Sequence, residues 1–397
     1  MATLRRRPTS STAGPLEDDD LLAEILLRLP PLPSSLPRAS AISRCWRSLA
    51  SDPRFCRQFR AHHRRNLPLI GCFVATNSEN YFVHALEAPN RVPEGRFTFP
   101  VPTNECFIYS GVVILGCRHG LVLISHASCN QLLVWDPVTS DQHRLDSPLG
   151  FLQYLISGTV LRAAGDVHHF QVVLVGQCER QQHTQLVATV YSSETGAWGD
   201  LISTQLPSDD DSSGLITERV YFDMPAVMVG DSLYWLGDGS FVGILEFDLD
   251  RRSLALIPMP PKDTHGVRYH NFWVLPAEGG GLGSLFLSGF SAQLWEWKTD
   301  CDGVASWMLG RTIALDKLLS INSENEELYI VGFAEENNVV LLWSSIGVFT
   351  VQLESLQFKK LPGPHLSSLR LCPFEGVYTA DKGINGGNDG AELLQNI

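Results

Sequence analysis

The chain has 397 residues, 44% of them apolar and 18% charged, with a formal net charge of −13. That length holds one small and one large domain, or one large repeat architecture, and the apolar share supplies a sizeable core. No run of about eighteen apolar residues occurs, so no membrane-spanning helix is indicated, and the nine cysteines, odd in number and without a C-x-x-C pair, argue against a disulfide framework or a zinc site.

Residues 1–15 contain Arg5, Arg6 and Arg7 among Ser and Thr, with no apolar segment behind them. They read as a disordered leader rather than a secretory signal. Leu22, Ile25, Leu26 and Leu29 then recur at i, i+3, i+4, i+7, which is one face of a helix. Asp18, Asp19 and Asp20 stand where carboxylates cap free amides, and Pro30, Pro31 and Pro33 end the segment. A second helix is expected from Ser34 or Ser35 through Leu36, Ala39, Ile42, Trp46 and Leu49, ending at Asp52-Pro53. About 40 residues are too few for a self-sufficient core, so the apolar stripes call for a partner.

This stretch resembles the F-box, the module by which substrate receptors dock on the Skp adaptor of cullin ubiquitin ligases. Asp20, Leu21, Leu22, Glu24, Ile25, Leu26, Arg28, Leu29 and Pro30 match the first half of the family pattern, and Ile42, Trp46, Arg47 and Leu49 match the second. The opening Leu-Pro of that pattern is replaced by Pro15-Leu16 and an acidic run, and Ser43-Arg44-Cys45 stands where Cys-Lys-Arg is more usual. The resemblance implies an adaptor-binding surface of Leu21, Leu22, Ile25, Leu26, Leu29, Pro30, Leu36, Ile42, Trp46 and Leu49.

Beyond Leu67 the pattern changes to short Val/Leu/Phe/Trp-rich runs separated by Gly, Asp, Asn and Ser, which read as antiparallel strands. Such runs are 120–124, 132–137, 170–176, 186–198, 227–237, 243–250, 284–297 and 337–353. Five phrases look like copies of one unit: LVWDPVTSDQHRL, TVYSSETGAWGDL, LEFDLDRRSLALIP, WEWKTDCDGVASWML and FTVQLESLQFKKLP. Each runs from an aromatic or apolar strand through an acid or Ser and a polar turn to a second apolar strand. A unit of roughly 45 to 50 residues is the size of a propeller blade. The expected fold is therefore a small all-α domain followed by a large all-β domain, a six- or seven-bladed kelch-like β-propeller.

GLVLI followed by LLVWDPVT, and DSLYWLGDGSFVGILEFDLDRRSLALIPMP further on, resemble the F-box-associated propeller region of plant F-box families. The domain plan is then a leader (1–15), F-box (16–60), linker (61–72), propeller (73–378) and disordered tail (379–397), with a further loop at Ser208–Gly214.

Residues 1–66 hold twelve Arg against six acids, a net +6 that leaves −19 on the rest of the chain. So acidic a domain is a poor nucleic-acid binder. Arg54, Arg57, Arg60, Arg64 and Arg65 read as a solvated helix face rather than a nucleic-acid or import patch.

Asp209, Asp211, Ser213 and Gly214 imitate a calcium loop, but Val220 occupies the position of its bidentate acid. Gly279–Gly283 lacks the Lys-Ser/Thr of a phosphate loop and reads as a hairpin turn. His62-His63 and His168-His169 are expected to be structural, and the tryptophans to fill the core between blades.

The resemblance implies a non-catalytic substrate-recognition subunit of a Skp–cullin–F-box ubiquitin ligase. Its partners would be a Skp-family adaptor, through it a cullin, and an unknown target protein, without cofactor, metal, nucleic acid or membrane. A reducing cytoplasmic or nuclear setting fits the cysteines. The alternative is a propeller-based small-ligand binder or hydrolase with an incidental helical N-terminus. The candidate target-facing loops are Ser208–Gly214, Pro258–Arg268 and Gly279–Gly283.

Overall fold

The structure, a computed structural model, describes residues 19–75, 80–93, 95–100, 112–126, 129–148, 151, 156–162, 169–180, 183–206, 219–239, 241–260, 271–321, 326–362 and 370–379. The expected leader, the Ser208–Gly214 loop, residues 261–268 and the tail beyond Thr379 lie outside them. The chain forms two compact units, one of residues 1–68, 87–93 and 377–397, the other of 69–86 and 94–376.

The first unit holds α1 (Asp19–Leu27), α2 (Ser35–Ser40), α3 (Arg44–Ala50) and α4 (Pro53–His62). α1 ends in a tightened turn, Arg28 N and Leu29 N donating to Ile25 O and Leu26 O at 3.2 Å, before Pro30 removes the next donor. The single second helix expected from Ser34 to Leu49 is two. Ser43 is extended, and its side chain accepts from Trp46 N at 3.2 Å, capping a new helix where the old one would have continued. Asp52 caps α4 through Arg54 N and Phe55 N at 2.7 and 3.0 Å, with Pro53 in the first turn.

The unit's apolar stripe does not wait for a partner, contrary to the sequence expectation. Leu22, Leu26, Leu27 and Leu36 are buried against Ala50, Phe55, Phe59, Leu67 and Val377. α4 and a residue from far downstream supply the core that about 40 residues lack. His63, beyond α4, donates Nε2–H to Leu27 O at 2.9 Å, and burial lowers its pKa. Asn90 accepts from Ser34 Oγ at 2.7 Å, and Thr379 from Arg60 Nη1 at 2.6 Å, so Thr379 belongs to this unit and not to a disordered tail.

The second unit is a ring of six antiparallel sheets. β1 (Leu69–Ala75), which begins inside the expected 61–72 linker, pairs with β2 (Asn80–His84). Blade 2 is β3 (Val112–Arg118), β4 (Leu121–His126), β5 (Gln131–Trp135) and β6 (Gln142–Asp146). Blade 3 is β7 (Ser157–Arg162), β8 (Phe170–Arg180) and β9 (His183–Ser192), with β10 (Ala197–Trp198) and β11 (Ile202–Gln205) both paired to β9. Blade 4 is β12 (Val220–Tyr221) and β13 (Val227–Val229) on β14 (Ser232–Gly239), then β15 (Gly243–Asp248) and β16 (Ser253–Pro258). Blade 5 is β17 (Phe272–Pro276), β18 (Leu282–Ser288), β19 (Ser291–Thr299) and β20 (Ala305–Ala314). A short α5 (Leu315–Leu319) leads to blade 6: β21 (Tyr329–Ala334), β22 (Val339–Ser344), β23 (Gly347–Gln352) and β24 (Phe358–Lys360). β25 (Leu371–Glu375) then pairs with β1, completing blade 1. The ring thus closes with first and last strands in one sheet, which removes the free edge that an open chain of blades would leave.

Burial explains why inner strands read as unbroken apolar runs. They are covered on both faces by neighbouring blades, so β4 is buried over Leu121–Ser125 and β14 over Ser232–Gly237. Outer strands face water, as in β6, where Leu145 alone is buried, and in β24, which is exposed throughout. Apolar clusters fill the gaps between blades, for example Leu123, Val134, Val172 and Leu174, or Val173, Val175, Leu233 and Trp235. Trp135, Trp235, Trp273 and Trp307 are buried in these layers, as expected of core tryptophans. Between blades 1 and 2 the filling is aromatic: the Phe73 ring centroid lies 5.5 Å from that of Trp135, the rings tilted, and 5.6 Å from that of Phe374 in its own blade, the rings edge-on.

The five repeated phrases are the outer hairpins of blades 2 to 6. Their acid has a mechanical role. Asp136 Oδ1 accepts from Val138 N and Thr139 N at 3.0 and 3.1 Å, and Asp248 Oδ1 from Asp250 N and Arg251 N at 3.0 and 2.7 Å. Asp300 Oδ1 accepts from Asp302 N and Val304 N at 3.0 and 2.8 Å, and Gln352 Oε1 from Ser355 N at 2.6 Å. Each turn closes on a left-handed residue: Ser140, Gly196, Arg252, Gly303 and Leu356 have φ between 54° and 81°. The Gly279–Gly283 run is a hairpin turn, with Gly280 N donating to Ala277 O and Ala277 N to Gly281 O at 2.9 Å.

Candidate functional site

Two surfaces can do chemistry of recognition, one in each unit. In the helical unit the ten residues expected to bind an adaptor fall into two sets. Leu22, Leu26 and Leu36 are interior, and Leu29, Trp46 and Leu49 are half-buried against that interior. Leu21 (49% exposed), Ile25 (38%) and Ile42 (63%) face solvent, as does Pro30. The split follows from helix geometry. Leu22 and Leu26 share a row four residues apart, and Leu21 and Ile25 form the neighbouring row, rotated by about 100°. Cys45, exposed at the start of α3, donates to Asp19 Oδ1 at 3.3 Å and ties α3 to the head of α1; this hydrogen bond raises the thiol pKa. Leu21, Ile25 and Ile42, with the half-buried Trp46 on α3, are apolar surface that the described residues of the unit leave uncovered.

In the propeller, one end of the central channel opens as a pocket lined from all six blades. Arg118, at the end of β3 in blade 2, is its hub. Its Nη2 donates to Ala226 O of blade 4 at 3.1 Å and is ion-paired with Glu335, which follows β21 in blade 6. Glu335 Oε2 also accepts from Met228 N at 3.3 Å. Alternate blades are thereby joined across the channel. Burial raises the Glu335 pKa, while Arg118 opposes the rise.

Glu375, at the end of β25, accepts from Glu336 N at 3.1 Å and from Asn337 N and Nδ2 at 2.9 and 2.5 Å. It fastens the closing strand to the β21–β22 turn, and burial lifts its carboxyl to about 7. Cys117 and Cys372 also line the pocket. Burial, then a hydrogen bond to Cys372, pushes Cys117 well up; that same bond, with Arg370, draws Cys372 down to about 7. His119 accepts at Nδ1 from the backbone N–H of Arg162 at 3.1 Å. Among the described residues no group of three or more His, Cys, Asp and Glu could hold a metal ion.

None of the pocket residues was anticipated from sequence. Each charged member directly follows or ends a buried apolar run, as in VVILGCR, IVGFAE and LCPFE. A charge at the end of a strand that is otherwise interior was the available signal. Of the anticipated target loops, Gly279–Gly283 is a described surface turn, and the Ser208–Gly214 loop is outside the described residues.

Comparison with known families accounts for both units. Residues 18–58 match the F-box domain model, and residues 99–269 match the model for the F-box protein At3g26010-like β-propeller. The chain therefore carries an F-box domain followed in sequence by a six-bladed β-propeller similar to that of the At3g26010-like F-box proteins. Its relatives include two F-box proteins of Arabidopsis thaliana. At5g03970 is 22% identical over 63% of this chain and 59% of its own length, and At3g26010 is 27% identical over 62% and 56%. The chain thus spans little more than half the length of these relatives. Among solved structures, apo AztD from Citrobacter koseri is 10% identical with a TM-score of 0.33, over 66% of this chain and 74% of that one, too remote to carry an argument.

Proposed function

We propose that this chain is the substrate-recognition subunit of a Skp–cullin–F-box ubiquitin ligase. The F-box docks a Skp-family adaptor and, through it, a cullin; the propeller holds a target protein. The observation that carries the reading is the uncovered apolar surface of Leu21, Ile25 and Ile42 in a domain that matches the F-box model. F-box domains in general bind Skp-type adaptors, and a few well-packed, desolvated side chains carry most of the binding energy of a protein interface. Pro30 and the half-buried Trp46 extend the surface, whereas Leu22, Leu26 and Leu36 act indirectly by holding the helices.

The subunit contributes proximity and no catalytic residue of its own: target lysines are held at high effective concentration near the charged ubiquitin carrier. It works in the cytoplasm or nucleus, without cofactor, membrane or nucleic acid. The test uses the full chain, because Val377 completes the F-box core. Leu21→Asp/Ile42→Asp is expected to lower affinity for a purified Skp-family adaptor by at least tenfold while circular dichroism and melting stay at wild-type values. Unchanged adaptor affinity in that folded variant sinks the reading.

A further inference from the structure

The propeller's axial pocket has a composition that selects what enters it. Its lining carries three carboxyl groups, Glu335, Glu336 and Glu375, against the single guanidinium of Arg118, with Trp273 and Phe333 among its walls. Arg118 and Glu335 neutralise each other, and Glu375 is held by three N–H donors. Glu336 differs. The residue is exposed and its carboxylate forms no hydrogen bond among the described residues, while burial of the carboxyl against the pocket wall raises its pKa and the charge of Arg118 opposes that rise. A second observation also points to an absent group: the Arg118 side chain is 6% exposed, yet its buried Nε has no acceptor. A buried donor left without a partner is unfavourable, so an incoming oxygen is welcome there.

We propose that the axial pocket receives an arginine or lysine side chain from a loop of the target protein, the cation meeting Glu336 and the loop's main-chain carbonyl meeting Arg118 Nε. The aromatic walls suit the same guest, because an arginine or lysine stem packs on apolar surface and its cation is attracted to an aromatic face. A free metal ion brings no carbonyl, and an acidic or nucleic-acid guest meets an excess of carboxylates. The proposal rests on the substrate-receptor reading and names the chemistry by which the target is recognised.

The experiment titrates the full chain with N-acetyl-arginine amide and with N-acetyl-citrulline amide, which has the same shape and carbonyls but no charge. Tryptophan fluorescence and calorimetry report binding. The arginine probe is expected to bind at least tenfold more tightly than the citrulline probe, and Glu336→Gln to lose about tenfold toward arginine alone, the loss of one ion pair. Glu336 is exposed, so the variant keeps its melting temperature. Equal binding of the two probes, an arginine affinity unchanged by Glu336→Gln, or no binding of either probe overturns the proposal. Adaptor affinity measured on the same variant stays at wild type in every case, so failure here is distinguishable from failure of the F-box reading.

Discussion

Arg118 and Glu335 lie 217 residues apart in sequence and form an ion pair across the propeller's channel. Arg118 closes the apolar run of β3 in blade 2, and Glu335 follows the apolar run of β21 in blade 6. Through Ala226 O, Arg118 also reaches blade 4. Pairs that join non-adjacent blades resist shearing of the ring in a way that strand-to-neighbour packing does not.

Removing one member of this pair is expected to be worse than removing both. Arg118→Met leaves Glu335 without its cation and should destabilise the propeller by about 3–5 kcal/mol. Arg118→Met/Glu335→Gln should recover much of that loss. Urea midpoints of the three proteins check this. A double variant as unstable as the single one contradicts the assignment of Glu335 as the stranded charge.

Glu375 makes stability depend on pH. Its folded pKa of about 7 lies above the ordinary 4.5, so the native state binds the proton more tightly than the unfolded chain. That contribution is fully present below the unfolded value and is lost as pH rises through 7. The span is on the order of 1–3 kcal/mol, discounted for the group's partial exposure. Glu375→Gln should flatten the slope of denaturation midpoint against pH between those limits. An identical slope in both proteins would show that other groups set it.

In the F-box, stability and docking should separate by residue. Leu22→Ala or Leu26→Ala empties a fully buried position and is expected to cost about 2–5 kcal/mol. Leu21→Ala and Ile42→Ala should stay within about 0.5 kcal/mol of wild type in stability while weakening adaptor binding. Thermal unfolding and adaptor titration on the four variants distinguish the sets; a large stability loss at Ile42 contradicts its exposed placement.

The blade hairpins make opposite predictions at two positions of one turn. Asp248→Ala strips two backbone N–H groups of their acceptor and should cost about 1 kcal/mol. Arg252→Gly relieves a non-glycine residue at φ 54° and should gain about 0.5–1 kcal/mol. Melting temperatures of the two variants should move in opposite directions.

The outer hairpins were legible because their chemistry is local: an acceptor side chain, a turn and a left-handed residue lie within five positions of sequence, as from Asp136 to Ser140. Closure was not. β25 contains Pro373, which argues against a strand, but β25 is the edge strand of its sheet, and among the described residues β1 is the one strand paired with it. Nor does any spacing rule connect β1 with a partner some 300 residues on. The F-box helices were legible from Leu22 and Leu26, but not what buries them. Phe55 and Phe59 read as part of a basic stretch, and Val377 lies at the far end of the propeller sequence. The axial pocket is not legible because Arg118, Glu335-Glu336 and Glu375 lie on strands far apart in sequence, and only the ring gathers them.

Val377 in the F-box core and β25 in blade 1 have a shared consequence for biosynthesis. During translation the helices and five blades emerge from the ribosome first, but neither unit has its full complement of core residues until residues 371–377 follow. A polypeptide released early would carry an underpacked helical unit together with an unsealed ring. One short segment, residues 371–377, thus completes the packing of both units, and a change there would reach both at once.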